Sequence, residues 1–221
     1  MKRLSWRIAK LIFGLFLFSV GSYLSIQANI GLTPWSAFNM GVSGIGGISF
    51  GDVSVLASAV ILVVDHLLNE RLGIGTILDA VLIGKFTDLL LRADLMPLCD
   101  NFAAGMAVLL LGLLFMSVGS YFYISAGLGC GPRDLLMVAL GKRLPQTSIG
   151  LIRGLIEGTA LLTGWSLGAK IGIGTVVSVL GIGLILEYTF KLLRFDVRAI
   201  QHESVLASIK NVWRASESLV K

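Results

Sequence analysis

The stretch GLFLFSVGSYLSIQANIGLTP, residues 14–34, returns 98 positions later as GLLFMSVGSYFYISAGLGCGP, residues 112–132. Eleven of the 21 aligned positions are identical, including an SVGSY block and the final proline. A further match, GIGT at 73–76 and at 172–175, keeps the same order at an offset of 99. Matches in one order indicate a duplicated unit. We therefore interpret the chain as two repeats, residues 11–93 and 94–195.

The composition is typical of a protein embedded in a lipid bilayer. Of the 221 residues, 55% are hydrophobic and 14% are charged, whereas an ordinary soluble domain carries roughly 25% charge. The mean hydropathy is +0.87. The chain therefore has too little polar surface for a soluble enzyme, a nucleic-acid-binding module or a secreted domain held by disulfides.

Each repeat contains four apolar segments, and the second segment is too short to span a membrane. The segments are 11–28, 34–42, 52–68 and 73–92, followed by 102–125, 132–141, 148–167 and 172–191. About 10 residues make roughly 15 Å of helix, against a hydrocarbon core of about 30 Å. We predict an all-α polytopic protein with three transmembrane helices and one half-length, proline-led segment per repeat. An odd number of spans inverts the second repeat, an arrangement typical of secondary transporters.

The distribution of charge predicts the orientation of the chain. The net charge is +5, and basic residues concentrate in the N-terminal segment 1–10 and the tail 196–221. Basic segments stay on the cytoplasmic side, so we expect both termini in the cytoplasm. The tail has the spacing of an amphipathic helix lying on the inner leaflet. The two cysteines, Cys99 and Cys130, indicate neither a disulfide framework nor a metal site.

A family resemblance follows from these motifs. The duplicated long run, the glycine-rich short segment from Gly31 to Gly47 and the Gly-x-Gly-Thr that opens a late span resemble the YczE/YitT group of small bacterial membrane proteins. The similarity covers most of residues 10–195 and is closest to the YczE branch. It implies a location in the bacterial plasma membrane. It implies little about function, and no catalytic or ligand residue is carried over from it.

Arg153 and Glu157 form the first candidate polar site inside the membrane. They are four residues apart, so their side chains share one helix face and can pair. A small-xxx-small ridge borders them and predicts that this face packs in the bundle interior. The ridge consists of Gly150, Gly154 and Gly158. The pair is either a structural ion pair or a group that handles a solute or a proton, since ionisable residues in membranes are commonly functional.

Other ionisable residues lie at different depths in the predicted spans. Asp79 and Lys85 lie well inside the fourth segment, and we expect Lys85 to join the Arg153 and Glu157 cluster. Four more residues lie within about a turn of a predicted span end, and we interpret them as reaching the membrane interface. These are Asp65, His66, Asp88 and Glu187.

The two proline-led segments form the second candidate site. A proline suits the first turn of a helix, and the free N–H groups and positive dipole end then point at whatever precedes it. The residues concerned are Thr33, Pro34 and Ser36 in the first repeat and Pro132, Arg133 and Asp134 in the second. Two interpretations stay open for Arg133: it helps to bind an anion, or it only anchors the chain on the cytoplasmic side.

These features favour the transport of a small polar or anionic solute. The alternatives are an accessory protein that scaffolds other membrane components without transporting and, more remotely, an intramembrane enzyme. The expected partners are the lipid bilayer and a small solute, with no nucleic acid, no metal and no cofactor. No catalytic motif is present in the sequence, and the pattern does not specify the oligomeric state.

Overall fold

The computed structural model describes residues 2–70 and 72–195, which form eight α-helices and no β-strand. The helices are α1 (Lys2–Gln27), α2 (Pro34–Gly46), α3 (Phe50–Leu67), α4 (Ile74–Ala93), α5 (Phe102–Ser125), α6 (Pro132–Arg143), α7 (Ile149–Ser166) and α8 (Ile173–Leu192). The prediction of an all-α protein is confirmed. The predicted amphipathic tail, 196–221, lies outside the described residues.

By length and composition, four of the described helices can cross a membrane: α1, α3, α5 and α8. The two other long helices, α4 and α7, contain 20 and 18 residues but carry charged side chains along their length. The structure therefore supports a multi-pass membrane protein, while six spans in two inverted repeats stay a prediction.

Two helix boundaries differ from the sequence prediction. Helix α1 begins at Lys2 rather than at residue 11, and the Arg7 guanidinium ties its first turns to α5 by donating to the Ala126 carbonyl at 2.7 Å. Helix α2 continues through the glycine-rich stretch to Gly46 instead of ending at residue 42. It ends where Gly47 adopts the left-handed conformation, with φ +63°. Its 13 residues make about 20 Å of helix, still shorter than the hydrocarbon core.

Helices α1 and α5 pack antiparallel along the duplicated stretch and form the centre of the molecule. A Cβ atom added to Gly14 would lie 2.8 Å from the Gly119 carbonyl oxygen, and one added to Gly119 would lie 2.7 Å from that of Gly14. Seven residues further along α1, Gly21 meets Gly112 in the same way. Glycine at these positions is required because the two backbones touch.

The remaining helices are arranged around this pair in matched contacts. Helix α4 packs on α1 and α8 packs on α5, while α2 packs on α7 and α3 packs on α6. The loops match as well: the Gly75 N–H donates to the Leu128 carbonyl at 2.8 Å, and the Gly174 N–H donates to the Ile30 carbonyl at 2.9 Å. Each acceptor precedes a glycine with positive φ: Leu128 precedes Gly129, with φ +135°, and Ile30 precedes Gly31, with φ +129°.

One contact of the first half has no counterpart in the second. Helix α3 packs closely on α4, whereas α7 and α8 make no extended contact within the described residues. Residues of both α7 and α8 line the cavity described below.

Candidate functional site

A cavity of about 150 Å³ lies inside the bundle, lined by every helix except α3. A volume of this size holds several water molecules or a small solute. Its wall is mostly apolar, but polar side chains line it from six helices or the residues that cap them. They include Thr33, Asp79, Arg133, Asp134, Arg153 and Glu157. Most of the sequence-predicted site residues are therefore brought together.

The N-terminal ends of the two half-length helices meet at this cavity. Thr33, Pro34 and Trp35 line it from the start of α2, and Gly131 and Arg133 line it from the start of α6. The two ends touch directly, because the Arg133 guanidinium carbon lies 4.5 Å from the centre of the Trp35 ring, in cation–π geometry. Arg133 is thus part of the cavity wall, and its interpretation as a cytoplasmic anchor alone does not describe this placement.

Carboxylate groups surround the start of α6. The position of Gly131 leaves room for the Asp79 carboxylate, whose oxygens would lie 3.2 Å from a Cβ atom at this glycine. The carboxylate faces the positive end of the α6 dipole. On the other side, the Tyr123 hydroxyl donates to the Asp134 carboxylate at 3.4 Å. No sequence pattern pointed to Tyr123, since a tyrosine in an apolar helix is usually a packing residue.

Arg153 and Glu157 are paired, as their spacing predicts, but the pair is not sealed in the protein. The Arg153 Nε donates to Glu157 Oε1 at 2.9 Å, and the two side chains are 43% and 22% exposed. The predicted packing of the neighbouring ridge is wrong. No described atom lies within 4 Å of a Cβ atom added at any of the three glycines, Gly150, Gly154 and Gly158. The pair faces the cavity at the gap between α7 and α8.

Three predicted site residues do not line the cavity: Lys85, Ser36 and Pro132, whose ring is fully buried at the start of α6. Lys85 does not join the Arg153 and Glu157 pair, because its exposed ammonium group binds Asp52 at 2.5 Å on the neighbouring helix α3. Ser36 is buried one turn into α2, where its hydroxyl accepts a hydrogen bond from Thr33 at 2.8 Å. Ser36 therefore supports the start of α2 without lining the cavity.

Two carboxylates expected at the membrane interface are buried. Asp65 is 0% exposed, and neither of its carboxylate oxygens has a hydrogen-bond partner among the described residues. Asp88 is also buried and accepts hydrogen bonds from the Ser49 hydroxyl and, at 2.7 Å, from the Gly51 N–H. His66 and Glu187 are exposed, as expected. A position near a helix end therefore does not predict an exposed side chain here, because neighbouring helices cover both aspartates.

The comparisons with known proteins agree with the sequence resemblance. A model described as a family of unknown function, DUF6198, matches residues 5–191. This chain belongs to that family. All the cavity-lining residues named above lie within the matched range. No solved structure matches the DUF6198 chain.

Two relatives are similar over almost the whole of this DUF6198 chain. An uncharacterized protein of Haemophilus influenzae is 32% identical over 181 residues, covering 82% of this chain and 82% of that protein. The uncharacterized membrane protein YczE of Bacillus subtilis is 32% identical over 178 residues, or 80% and 81% of the two chains. The predicted YczE-like resemblance is confirmed. Together with the apolar helices, it identifies the chain as a multi-pass membrane protein.

Proposed function

We propose that this protein is a non-enzymatic carrier for a small polar or anionic solute in the bacterial plasma membrane. The observation that carries this proposal is that both proline-led helix ends line one cavity in the bundle, together with two arginines. Helix N-termini and guanidinium groups attract negative charge. The three carboxylates in the same wall balance the two guanidinium groups and the two helix dipoles, which favours a zwitterion or a weakly charged polar solute over a highly charged one.

The packing of α1 and α5 supports two inverted repeats. If both helices cross the membrane, their antiparallel contact requires an even number of crossings between them. Helix α2 is too short to cross, so α3 and α4 supply these two crossings. The same reasoning gives three membrane crossings in the second half, by α5, α7 and α8. The contact of Trp35 with Arg133 agrees, because the two residues are equivalent at the offset of 98 and equivalent positions meet next to a two-fold axis.

This architecture orients the two cysteines oppositely. With the N-terminus in the cytoplasm, Cys99 lies outside and Cys130 lies on the cytoplasmic side. A membrane-impermeant maleimide on intact cells should therefore label the wild type and the Cys130→Ser variant, and should spare Cys99→Ser. Cell lysis should then expose Cys130. Labelling of Cys99→Ser in intact cells would contradict inverted repeats in this orientation.

Solute binding can be tested by thermal unfolding of the purified protein in lipid nanodiscs. The compounds are phosphate, sulfate, nitrate, small carboxylates and amino acids, each at millimolar concentration. A ligand at 100 times its Kd stabilises the folded state by about 2.7 kcal/mol, which is a measurable rise in Tm. We expect at least one compound to raise the Tm of the wild type.

The variants place that binding in the cavity. Arg133→Gln and the double variant Arg153→Met/Glu157→Leu should lose the ligand-dependent rise in Tm. Lys142→Met is the matched control, because Lys142 pairs with Glu70 at 2.7 Å and does not line the cavity. If no compound changes the Tm of the wild type, the accessory-protein alternative is favoured.

A further inference from the structure

The contact between α3 and α4 includes three pairs of residues near the start of α3. The Gly51 and Gly84 backbones touch, since a Cβ atom added to Gly84 would lie 2.6 Å from the Gly51 carbonyl oxygen. On one side of this contact Asp88 accepts hydrogen bonds from the start of α3, and on the other Lys85 binds a carboxylate of α3. The contacting pairs are Ser49–Asp88, Gly51–Gly84 and Asp52–Lys85.

The second half carries a complementary set of pairs at the offset of 99, but the helices that hold them, α7 and α8, make no extended contact within the described residues. The counterpart pairs are Ser148–Glu187, Gly150–Gly183 and Leu151–Leu184. Among the described residues, no atom lies within 4 Å of a Cβ atom added at Gly150 or Gly183. Leu151 and Leu184 are 56% and 58% exposed. Glu187 is exposed, and no hydrogen bond joins it to α7 within the described part of the chain.

Each of these unused pairs fits the geometry of its packed counterpart. Ser148 caps the start of α7 as Ser49 caps the start of α3, with its hydroxyl accepting from the N–H three residues on. Its hydroxyl and the Gly150 N–H are therefore placed as the two donors that bind Asp88 are placed. Two glycines allow a backbone approach, and two exposed leucines form an apolar contact where the first half has an ion pair. Complementarity at three successive positions indicates that this contact forms.

Residues on both sides of the gap between α7 and α8 line the cavity. Arg153, Ile156 and Glu157 line the cavity from α7, and Ser178, Ile182 and Leu186 line it from α8. In the orientation proposed above, the α3–α4 contact lies at the outer end of the bundle and the gap lies at the cytoplasmic end. A cavity reached through this gap would therefore face the cytoplasm.

We propose that α7 and α8 close through these three pairs while α3 and α4 separate, so that the cavity opens alternately to the two sides of the membrane. This inference rests on the proposed carrier function and orientation. Closure makes the Glu187 carboxylate accept from the Ser148 hydroxyl and the Gly150 N–H, and it joins Leu151 to Leu184. The Asp88 carboxylate releases its two donors in the opposite step.

The residues behind the gap couple closure to the solute. Ser54 and Ser58 lie behind the α3–α4 contact and are 4% and 6% exposed. Arg153 and Glu157 occupy the equivalent positions in α7, so closure pushes their ion pair into the cavity. A solute that contacts this pair interacts differently with the open and closed forms. It therefore shifts the equilibrium between them.

Cross-linking of introduced cysteines tests the closure in native membranes. In a Cys99→Ser/Cys130→Ser background, the test pair is Ser148→Cys with Glu187→Cys, and the matched control is Ser49→Cys with Asp88→Cys. A short bifunctional thiol reagent should join the control pair rapidly, because these residues are in contact. It should also join the test pair, at a slower rate set by the population of the closed form.

A blocking variant makes the test specific. The space at Gly183 is open, so Gly183→Leu fits the present structure, but the added side chain prevents the approach of α7. Gly183→Leu should reduce cross-linking of the test pair at least tenfold and leave the control pair unchanged, which also shows that the variant folds. An absence of cross-links in the test pair, or an equal rate with and without Gly183→Leu, overturns the proposal.

A second readout does not depend on the double variant. The thiol of the single variant Ser148→Cys should react more slowly with a permeant maleimide than it does in the presence of Gly183→Leu, because closure covers it. Equal rates overturn the proposal. If the compounds stabilise the protein but the test pair never cross-links, the carrier site stands and the alternating gap fails. If cross-linking succeeds and no compound binds, the gap is real and the assigned solute class is wrong.

Discussion

The helix pairs α3–α4 and α7–α8 share the same glycine positions but pack differently. In the first pair the glycine backbones touch, and in the second they stand apart beside the cavity. The difference lies one and two turns after the glycines along each helix, where α3 has Ser54 and Ser58 and α7 has Arg153 and Glu157. Small residues let helices approach closely, whereas a long charged pair needs volume and contact with water. Glycines alone therefore do not make a helix contact.

The largest effect is expected from leucine at the two equivalent glycines of α4 and α8. Gly84→Leu forces a side chain against the Gly51 carbonyl and should lower the free energy of unfolding by about 3 kcal/mol, the upper range for overpacking. Gly183→Leu enters open space and should change it by less than about 0.5 kcal/mol. Thermal and denaturant unfolding in the same detergent compare the two variants. A much smaller loss for Gly84→Leu would mean that the chain escapes to a form in which α3 and α4 are apart.

The next effect concerns the carboxylates beside these glycines. Asp88→Ala leaves the Gly51 N–H and the Ser49 hydroxyl without their acceptor, so we expect a loss of about 2 kcal/mol. Glu187→Ala removes an exposed side chain and should cost less than about 0.5 kcal/mol. Equilibrium unfolding of both variants measures the difference. Equal losses would indicate that Glu187 is already bonded in the dominant form.

The sequence predicts the local features of this protein well. Helix positions follow from apolar runs and prolines, and the Arg153–Glu157 pair follows from its spacing of four residues. The sequence also singles out the two proline-led helix starts as one candidate site, although it does not predict that Trp35 and Arg133 touch. Each of these features depends on residues close in sequence or on the duplication itself.

Burial is where the sequence prediction fails, because it depends on which helices become neighbours. Asp65 was expected at an interface from its place near the end of α3, yet α6 packs against this helix and Asp65 is buried. A signal was present: Asp65 lies on the same face of α3 as Ser54 and Ser58, small residues that mark a packed face. The expected contact of Lys85 was wrong for a different reason. Its partner Asp52 lies on the adjacent helix α3, and periodicity in the sequence does not identify which helices are neighbours.

The smallest change in stability, and the most direct test of the comparison, comes from making α7 like α3. The double variant Arg153→Ser/Glu157→Ser loses an i,i+4 ion pair worth about 0.5 kcal/mol and lets α7 approach α8. We expect the free energy of unfolding to stay within about 1 kcal/mol of the wild type, because the lost pair and the new contacts offset each other.

The accessibility of the cavity to reagents should change far more than the stability. A thiol at Ile182→Cys, on the cavity wall, should react severalfold more slowly with maleimide in the double variant. Glu157→Gln is the control: it keeps the bulk of the side chain and leaves Arg153 in place, so the reaction rate at Ile182→Cys should not change. An unchanged rate in the double variant would show that the gap between α7 and α8 does not depend on this charged pair.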